Sequence, residues 1–291
     1  TNTLRTLRFD HQGYLWLGHE LGADKIDTKQ LTITPYTFPI ANSISFHLFP
    51  DNDGRIIAGT TKGVFVKEAT SEVFTAVDLL KNLDVRSIYR TKKGMYWLGT
   101  KKGLRLWDGG GKLALIGHNV NDLSNAYIRS IVPLPNGKIW VATYGKGLVL
   151  FDEESAQLIK HFKHDPSDDT SLAFDDVGTI LLSKSGTLLI GTWGAGLQLL
   201  NTLTSDSFVM MRHSLQHTKG LSFANVRTLL ELQDGRLLIG TTGNGLDLIN
   251  PSKGRETNIQ HSITGDILSN TISLAQQKDG LVWVGTASSG L

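Results

Sequence analysis

The residues of this chain that could do chemistry are few, and they interrupt an otherwise periodic sequence. Arg5, Arg86, Arg129 and Arg227 recur within strand-forming segments, with Ser45, Gly178 and Ser273 standing at the aligned places elsewhere. A guanidinium carries a rigid fork of donors that fits a carboxylate. Four of them near one opening would receive an anionic ligand such as a uronate-type sugar or a carboxylate. The alternative is that they make ion pairs between repeats or hydrogen bonds to loop carbonyls. Short loops of unlike sequence form a second set: His19-Glu20, Thr61-Lys62, Lys101-Lys102, Tyr144-Gly145-Lys146, Trp193-Gly194-Ala195, Thr242-Gly243-Asn244 and Ala287-Ser288-Ser289. Positions shared by all repeats serve a scaffold, so ligand contacts belong where the repeats differ, which selects His19, Tyr144, Trp193 and Asn244. Exposed aromatic rings beside polar groups suit stacking on sugars or apolar ligands. The competing reading is that each ring covers a neighbouring loop.

Other chemistry finds little support. His161-x-x-His164 and His213-x-x-x-His217 have metal-ligand spacing, but neither lies in HExxH and no third ligand is in view. No metal site is expected. Asp51-Asn52-Asp53-Gly54 lacks the twelve-residue calcium pattern and reads as a hairpin turn. Asp165, Asp168, Asp169, Asp175 and Asp176 read as a solvated linker. Cysteine is absent, which removes disulfides, thiolate nucleophiles and CxxC sites. There is no GxSxG, and the glycine string Gly191–Gly196 lacks the strand–loop–helix setting of a phosphate loop. The expectation is a non-catalytic domain without a cofactor. A formal net charge of +2, with both signs interspersed, argues against a nucleic-acid partner. No apolar run reaches the roughly 18 residues that span a bilayer, so no membrane insertion by this segment is expected.

The elements that must position these side chains come from a repeat. A turn glycine recurs at Gly13, Gly54, Gly94, Gly137, Gly186, Gly235 and Gly280. Five residues after each stands Gly18, Gly59, Gly99, Ala142, Gly191, Gly240 or Gly285, and the third column is Gly22, Gly63, Gly103, Gly147, Gly196, Gly245 and Gly290. The spacing runs from 40 to 49 residues. Strand-rich units of that length predict an all-β, seven-bladed β-propeller of four-stranded antiparallel blades. The third repeat reads as strands at 85–89, 95–99, 104–107 and 113–116 around the turn Thr91-Lys92-Lys93-Gly94. Asn or Asp before the turn glycine is expected to share its positive φ. Trp16, Ile57, Trp97, Trp140, Leu189, Leu238 and Trp283 recur two residues before the second column and should wedge blade against blade. One domain over 1–291 is expected, its repeats starting near 1, 42, 83, 126, 175, 224 and 270. The last repeat ends at Gly290-Leu291, so its blade is expected to be incomplete, with the missing strands downstream.

The unit Asp234-Gly235-Arg236-Leu237-Leu238-Ile239-Gly240-Thr241, followed by Gly245-Leu246-Asp247-Leu248-Ile249-Asn250, resembles the two-component regulator propeller repeat. Residues 96–108 and 282–291 resemble it too, and the stretch from His164 to Leu172 is similar to that family's linker before a new blade. The pattern departs from the family at Ala142 and His19 and at Ile57, Leu189 and Leu238. The resemblance implies a periplasmic ligand-sensing domain of a bacterial inner-membrane signalling protein. It further implies downstream propeller and signalling domains, a histidine kinase or diguanylate cyclase output, and a homodimer in the full-length protein. A small molecule or oligosaccharide would be the ligand. A carbohydrate-active lyase or hydrolase, or a protein-interaction scaffold, remains the alternative.

Overall fold

A computed structural model describes residues 3–117, 123–201, 207–211, 220–251 and 253–291. Each repeat turns back on itself at its glycines, so its strands pair in sequence order and antiparallel. The first blade is β1 (Leu4–Phe9), β2 (Leu15–His19), β3 (Gly22–Asp27) and β4 (Thr32–Thr37); the second is β5 (Ser45–Pro50), β6 (Ile56–Thr60), β7 (Gly63–Lys67) and the short β8 (Thr75–Ala76). The third is β9 (Val85–Arg90), β10 (Tyr96–Thr100), β11 (Gly103–Trp107) and β12 (Leu113–Ile116); the fourth is β13 (Tyr127–Pro133), β14 (Lys138–Tyr144), β15 (Leu148–Asp152) and β16 (Leu158–Phe162). The fifth is β17 (Val177–Leu182), β18 (Thr187–Thr192), β19 (Leu197–Asn201) and β20 (Phe208–Met211); the sixth is β21 (Val226–Glu231), β22 (Leu237–Thr241), β23 (Leu246–Asn250) and β24 (Gly254–Ile259). The last repeat gives only β25 (Thr271–Gln276) and β26 (Val282–Thr286). The described residues thus form an all-β propeller with six four-stranded blades and a two-stranded sheet, not seven full blades.

First strands line the axis. β1, β5, β9, β13, β17, β21 and β25 each pack beside the next, and β25 returns to β1. The core is divided accordingly into clusters that straddle neighbouring sheets. Trp97 on β10 packs with Ile128 and Ile131 on β13; Trp140 on β14 packs with Val177 and Ile180 on β17. Leu4, Leu7 and Leu15 pack with Ala275 and Trp283, which closes the ring. Trp16, Ile57, Trp97, Trp140, Leu189 and Leu238 are buried. Trp283, in the two-stranded sheet, is half-buried.

The second glycine column makes this contact close. A Cβ on Gly99 would lie 2.7 Å from Ile128 Cγ2, and one on Gly191 would lie 2.5 Å from Val226 Cγ1. Both obstacles belong to the inner strand of the following blade. At the turns, Gly54 takes φ +86° and its N–H returns to the Asp51 carbonyl at 3.1 Å. The preceding Asp or Asn residues keep negative φ among the described residues, contrary to expectation. The loop is therefore of three residues, a type I turn closed by a left-handed glycine, and the glycine alone carries the strain.

Gly191→Ala is expected to destabilise the ring by about 1–3 kcal/mol, because Val226 and Thr179 must shift to admit the methyl group. Ala142→Gly, at the matching position of the fourth blade, should cost no more than about 1 kcal/mol. Urea unfolding midpoints of the two variants test the difference.

Candidate functional site

Strand pairing skips one residue near the start of every inner strand, and the skipped residues are Arg5, Phe46, Arg86, Arg129, Gly178, Arg227 and Ile272. A bulged residue has no cross-strand partner and its side chain is re-aimed. Here the seven bulges face the axis and surround a cavity of about 600 Å³. The structure thus corrects the alignment of the arginine column. Ser45 and Ser273 are paired to Thr60 and Gly285, and Phe46 and Ile272 occupy the arginine positions.

Cations and rings alternate around this rim. The Arg5 guanidinium lies 5.6 Å from the centre of the Phe46 ring, and Arg86 lies 3.5 Å from it. Arg86 and Arg129 lie 5.4 and 5.3 Å from the Tyr127 ring. Arg129 and Arg227 lie 5.3 and 5.5 Å from the Trp193 ring. The rings hold the guanidinium groups against a preorganised wall without neutralising them. Arg5 is paired with Glu20 at 2.9 Å, and Arg86 donates to Asp84 at 2.7 Å. Arg129 donates to the Tyr127 hydroxyl at 2.9 Å, and neither it nor Arg227 has a carboxylate partner among the described residues. Burial, followed by repulsion from Arg129 and Arg5, holds the Arg227 pKa below the usual arginine value. No aspartate or glutamate is among the residues lining the cavity.

Trp193 reaches the rim by a substitution of space. A Cβ on Gly178 would lie 2.3 Å from Trp193 Nε1, so the indole occupies room that another side chain fills in the other blades. The indole N–H is buried without an acceptor. Tyr144 lies edge-on to Trp193 at 6.2 Å and is exposed. The structure therefore brings Arg86, Arg129, Arg227, Trp193 and Tyr144 together. His19 is elsewhere: it is buried, its Nδ1 accepts from the Leu21 amide at 3.1 Å, and its Nε2 is 3.3 Å from Asp24. Asn244 is half-buried and tied to the outer strand β24, accepting at its carbonyl from Asn258 at 2.7 Å. Neither lines the cavity.

Four residues of the site escaped the sequence reading: Phe46, Tyr127, Arg8 and His47. Aligning the inner strands by their bulges, rather than by residue type, would have found Phe46. One step below the rim stand Thr6, His47, Ser87, Ser130, Thr179, Thr228 and Ser273, a belt of hydroxyls broken by one imidazole. Ser273 Oγ accepts from the Leu7 amide of the adjoining strand at 2.9 Å, and His47 Nδ1 accepts from the Ile88 amide at 3.2 Å in the same way. An imidazole that accepts there must be neutral. Burial first, then the Arg8 charge, pushes its pKa down to about 3.

The motifs set aside by the sequence have local partners. His161 donates to the Lys146 carbonyl at 2.6 Å, and His164 bonds the Leu172 carbonyl at 2.8 Å. His213 and His217 lie outside the described residues. Among the described residues no three His, Asp or Glu side chains form a metal-binding group. Asp165 and Asp168 accept from Ser167 and Thr170 inside their own loop. Buried Asp51, at the other end of the strands, accepts from Arg90 at 2.7 Å, Arg55 at 3.2 Å and the Tyr96 hydroxyl at 2.8 Å. No helix among the described residues is long and apolar enough to cross a membrane.

The family model for the two component regulator propeller matches residues 122–145, the start of the fourth blade with its Tyr127, Arg129 and Tyr144. No curated protein sequence matches the chain. Among solved structures, the chain is similar to the extracellular domain assigned to the hybrid two component system BT3049 of B. thetaiotaomicron. That match has a TM-score of 0.81 and 22% identity over 99% of this chain, and it spans 38% of the other. It is similar to virginiamycin B lyase from Staphylococcus aureus, with a TM-score of 0.76 and 12% identity over 99% of this chain and 93% of that one. It also resembles PorZ, a bacterial surface component of the type-IX secretion system of Porphyromonas gingivalis, with a TM-score of 0.76 and 15% identity over 99% of this chain and 46% of that one. Likeness at these identities shows the propeller fold, and the fold carries both sensor-type and lyase-type relatives.

His47 makes a pH dependence that can be measured. The native state keeps the imidazole neutral down to about pH 3, whereas the unfolded chain takes up a proton near the ordinary value of 6.5. Its contribution is therefore complete above pH 6.5 and is lost as pH falls toward 3. With the water in the cavity screening part of the effect, the loss should be about 1 kcal/mol per pH unit. His47→Ser installs the hydroxyl found at this level in Ser87, Ser130 and Ser273. Denaturant unfolding at stepped pH should show a flatter slope for that variant between pH 6 and 4.

Proposed function

We propose that this chain is the periplasmic ligand-sensing domain of a bacterial transmembrane two-component-type signalling protein, that it is non-catalytic, and that it binds an acidic small molecule or oligosaccharide at the arginine-lined mouth of its axis. The observation that carries this reading is the rim itself: alternating guanidinium groups and aromatic rings around a cavity lined by no carboxylate. Two of its arginines, Arg129 and Arg227, have no carboxylate partner among the described residues. The aromatic faces offer stacking surface to a sugar ring or other flat group, and the arginines offer paired donors to its carboxylate. The repeat match and the extracellular two-component relative support the signalling context. This chain spans about two-fifths of that relative, so the signalling context is argued from the part to the whole.

The two-stranded sheet β25–β26 sits where a further blade belongs, between β21 and β1, and we read the ring as seven-bladed on that ground. Signalling then needs a ligand that binds two packing states of a homodimer unequally, shifting their populations and the state of downstream output domains. The lyase-type relative favours a second reading, in which the same rim binds an acidic substrate for cleavage.

Calorimetric titration with uronate-containing disaccharides, combined with chromatography of the sugar afterwards, separates these readings. The expected result is saturable binding that weakens as salt rises, with the sugar recovered intact. Arg227→Ala and Arg129→Ala should each weaken binding by about tenfold or more, as loss of a charge-assisted contact requires. Turnover would establish the enzyme. Equal binding of neutral sugars, unaffected by either variant, would remove the rim as the site.

A further inference from the structure

Below the rim and the hydroxyl belt the inner strands present a third level, three residues on from each bulge: Arg8, Phe49, Tyr89, Val132, Leu181, Leu230 and Ala275. Six of these are apolar or aromatic and one is an arginine. Val132, Leu181, Leu230 and Arg8 line the cavity. Arg8 is solvent-exposed where it lines the bore. Its Nη1 donates to the Leu7 carbonyl at 2.9 Å, and no carboxylate lies within ion-pair distance among the described residues. Desolvation lowers its pKa, the mark of a charge held in a confined space.

The charge balance of the cavity sharpens the point. Five arginines line it: Arg5, Arg8, Arg86, Arg129 and Arg227. Among the described residues only Arg5 and Arg86 carry carboxylate partners, which leaves two cations at the rim and one below without one. Three residues of extended strand separate Arg8 from Arg5, about 10 Å at the usual rise. A ligand with a single anionic group satisfies one level and leaves the other unmatched.

We propose that Arg8 is a second anion-binding station within the bore, and that the ligand is an extended molecule with two anionic groups about 10 Å apart, one held at the rim and one at Arg8. This deepens the reading of the rim as a ligand site and rests on it. The ligand enters along the axis instead of lying across the face, and the hydroxyl belt faces its middle. His47, whose imidazole feels the Arg8 charge, reports occupancy of the lower station; Arg5 on β1 and Arg86 on β9 line the same cavity.

The test uses the chain as it stands, titrated with a saturated α,ω-dicarboxylate of about ten carbons, long enough to reach both levels at that spacing, and with the monocarboxylate of equal length. The dicarboxylate should bind about tenfold tighter or better, and should shift the His47 ring signals in the NMR spectrum at neutral pH. Arg8→Leu should erase both the advantage and the shift, and Arg8→Lys, which keeps the charge and guards against a folding defect, should retain part of each. Arg129→Ala should weaken both acids. If the two acids bind alike and Arg8→Leu changes nothing while Arg129→Ala still weakens binding, the lower station is overturned and the rim reading stands. If neither acid binds saturably, both are overturned.

Discussion

Everything at the axis depends on how closely one blade's second strand lets the next blade's first strand approach. That separation is set by a missing side chain. At Gly18, Gly59, Gly99, Gly191 and Gly240 an added Cβ would press on an inner-strand residue of the following blade at 3.0 Å or less. The bulky residue two positions earlier does the opposite work, filling the wider space between the sheets with Trp97 or Trp140. Small toward the axis and large away from it, the pair forms a wedge, and wedges in sequence make a ring. The closing contact uses the same device: Gly285 faces Leu4 and Leu7 at 3.3 and 3.4 Å. No covalent link is needed, because each apolar cluster is shared by two sheets and neither sheet buries it alone.

The bulge follows from that approach and delivers the site. Next to the close contact the inner strand skips a pairing in every blade, and the unpaired residue turns to the axis. Seven equivalent places converge on one opening, so residues remote in sequence become neighbours with no special loop to carry them. Convergence also explains why the cations survive. Guanidinium groups brought this close repel one another, and this repulsion adds to burial in lowering the pKa of Arg227. The rings between them supply a compensating attraction that leaves the charge available. A carboxylate at each arginine would have been the simpler stabiliser, and among the described residues it occurs only for Arg5 and Arg86.

Much of the architecture was legible because glycine columns report backbone geometry directly. A turn that needs φ near +86°, as at Gly54, or a gap of 2.5 Å, as at Gly191, admits few other residues. The four strands of the third repeat fell within one residue of their positions for the same reason. The arginine column was legible in part. Residue type aligned four arginines correctly but placed Ser45 and Ser273 one position off, since a bulge leaves no compositional trace. His19 and Asn244 were chosen because their loops differ from the rest. Their differences turn out to serve local hydrogen bonds to Leu21 and Asn258. Tyr127 carries no mark in the sequence that sets it apart from an ordinary strand former. Its role comes from lying between Arg86 and Arg129, a relation across two blades that no local window contains.

The places where the repeat breaks its own rule fall into two kinds, and packing tells them apart. Some breaks are compensated within the fold. His47 replaces a hydroxyl yet still accepts the neighbouring amide, and Gly178 gives up a side chain whose space Trp193 fills. One is left open: Arg8 interrupts an apolar level with a charge that has no carboxylate partner among the described residues. A scaffold gains nothing from an unmatched charge, since it carries a desolvation penalty that the folded chain alone does not recover. That open break faces the cavity. The compensated irregularities build the wall, and the uncompensated charge is left over for something that enters it.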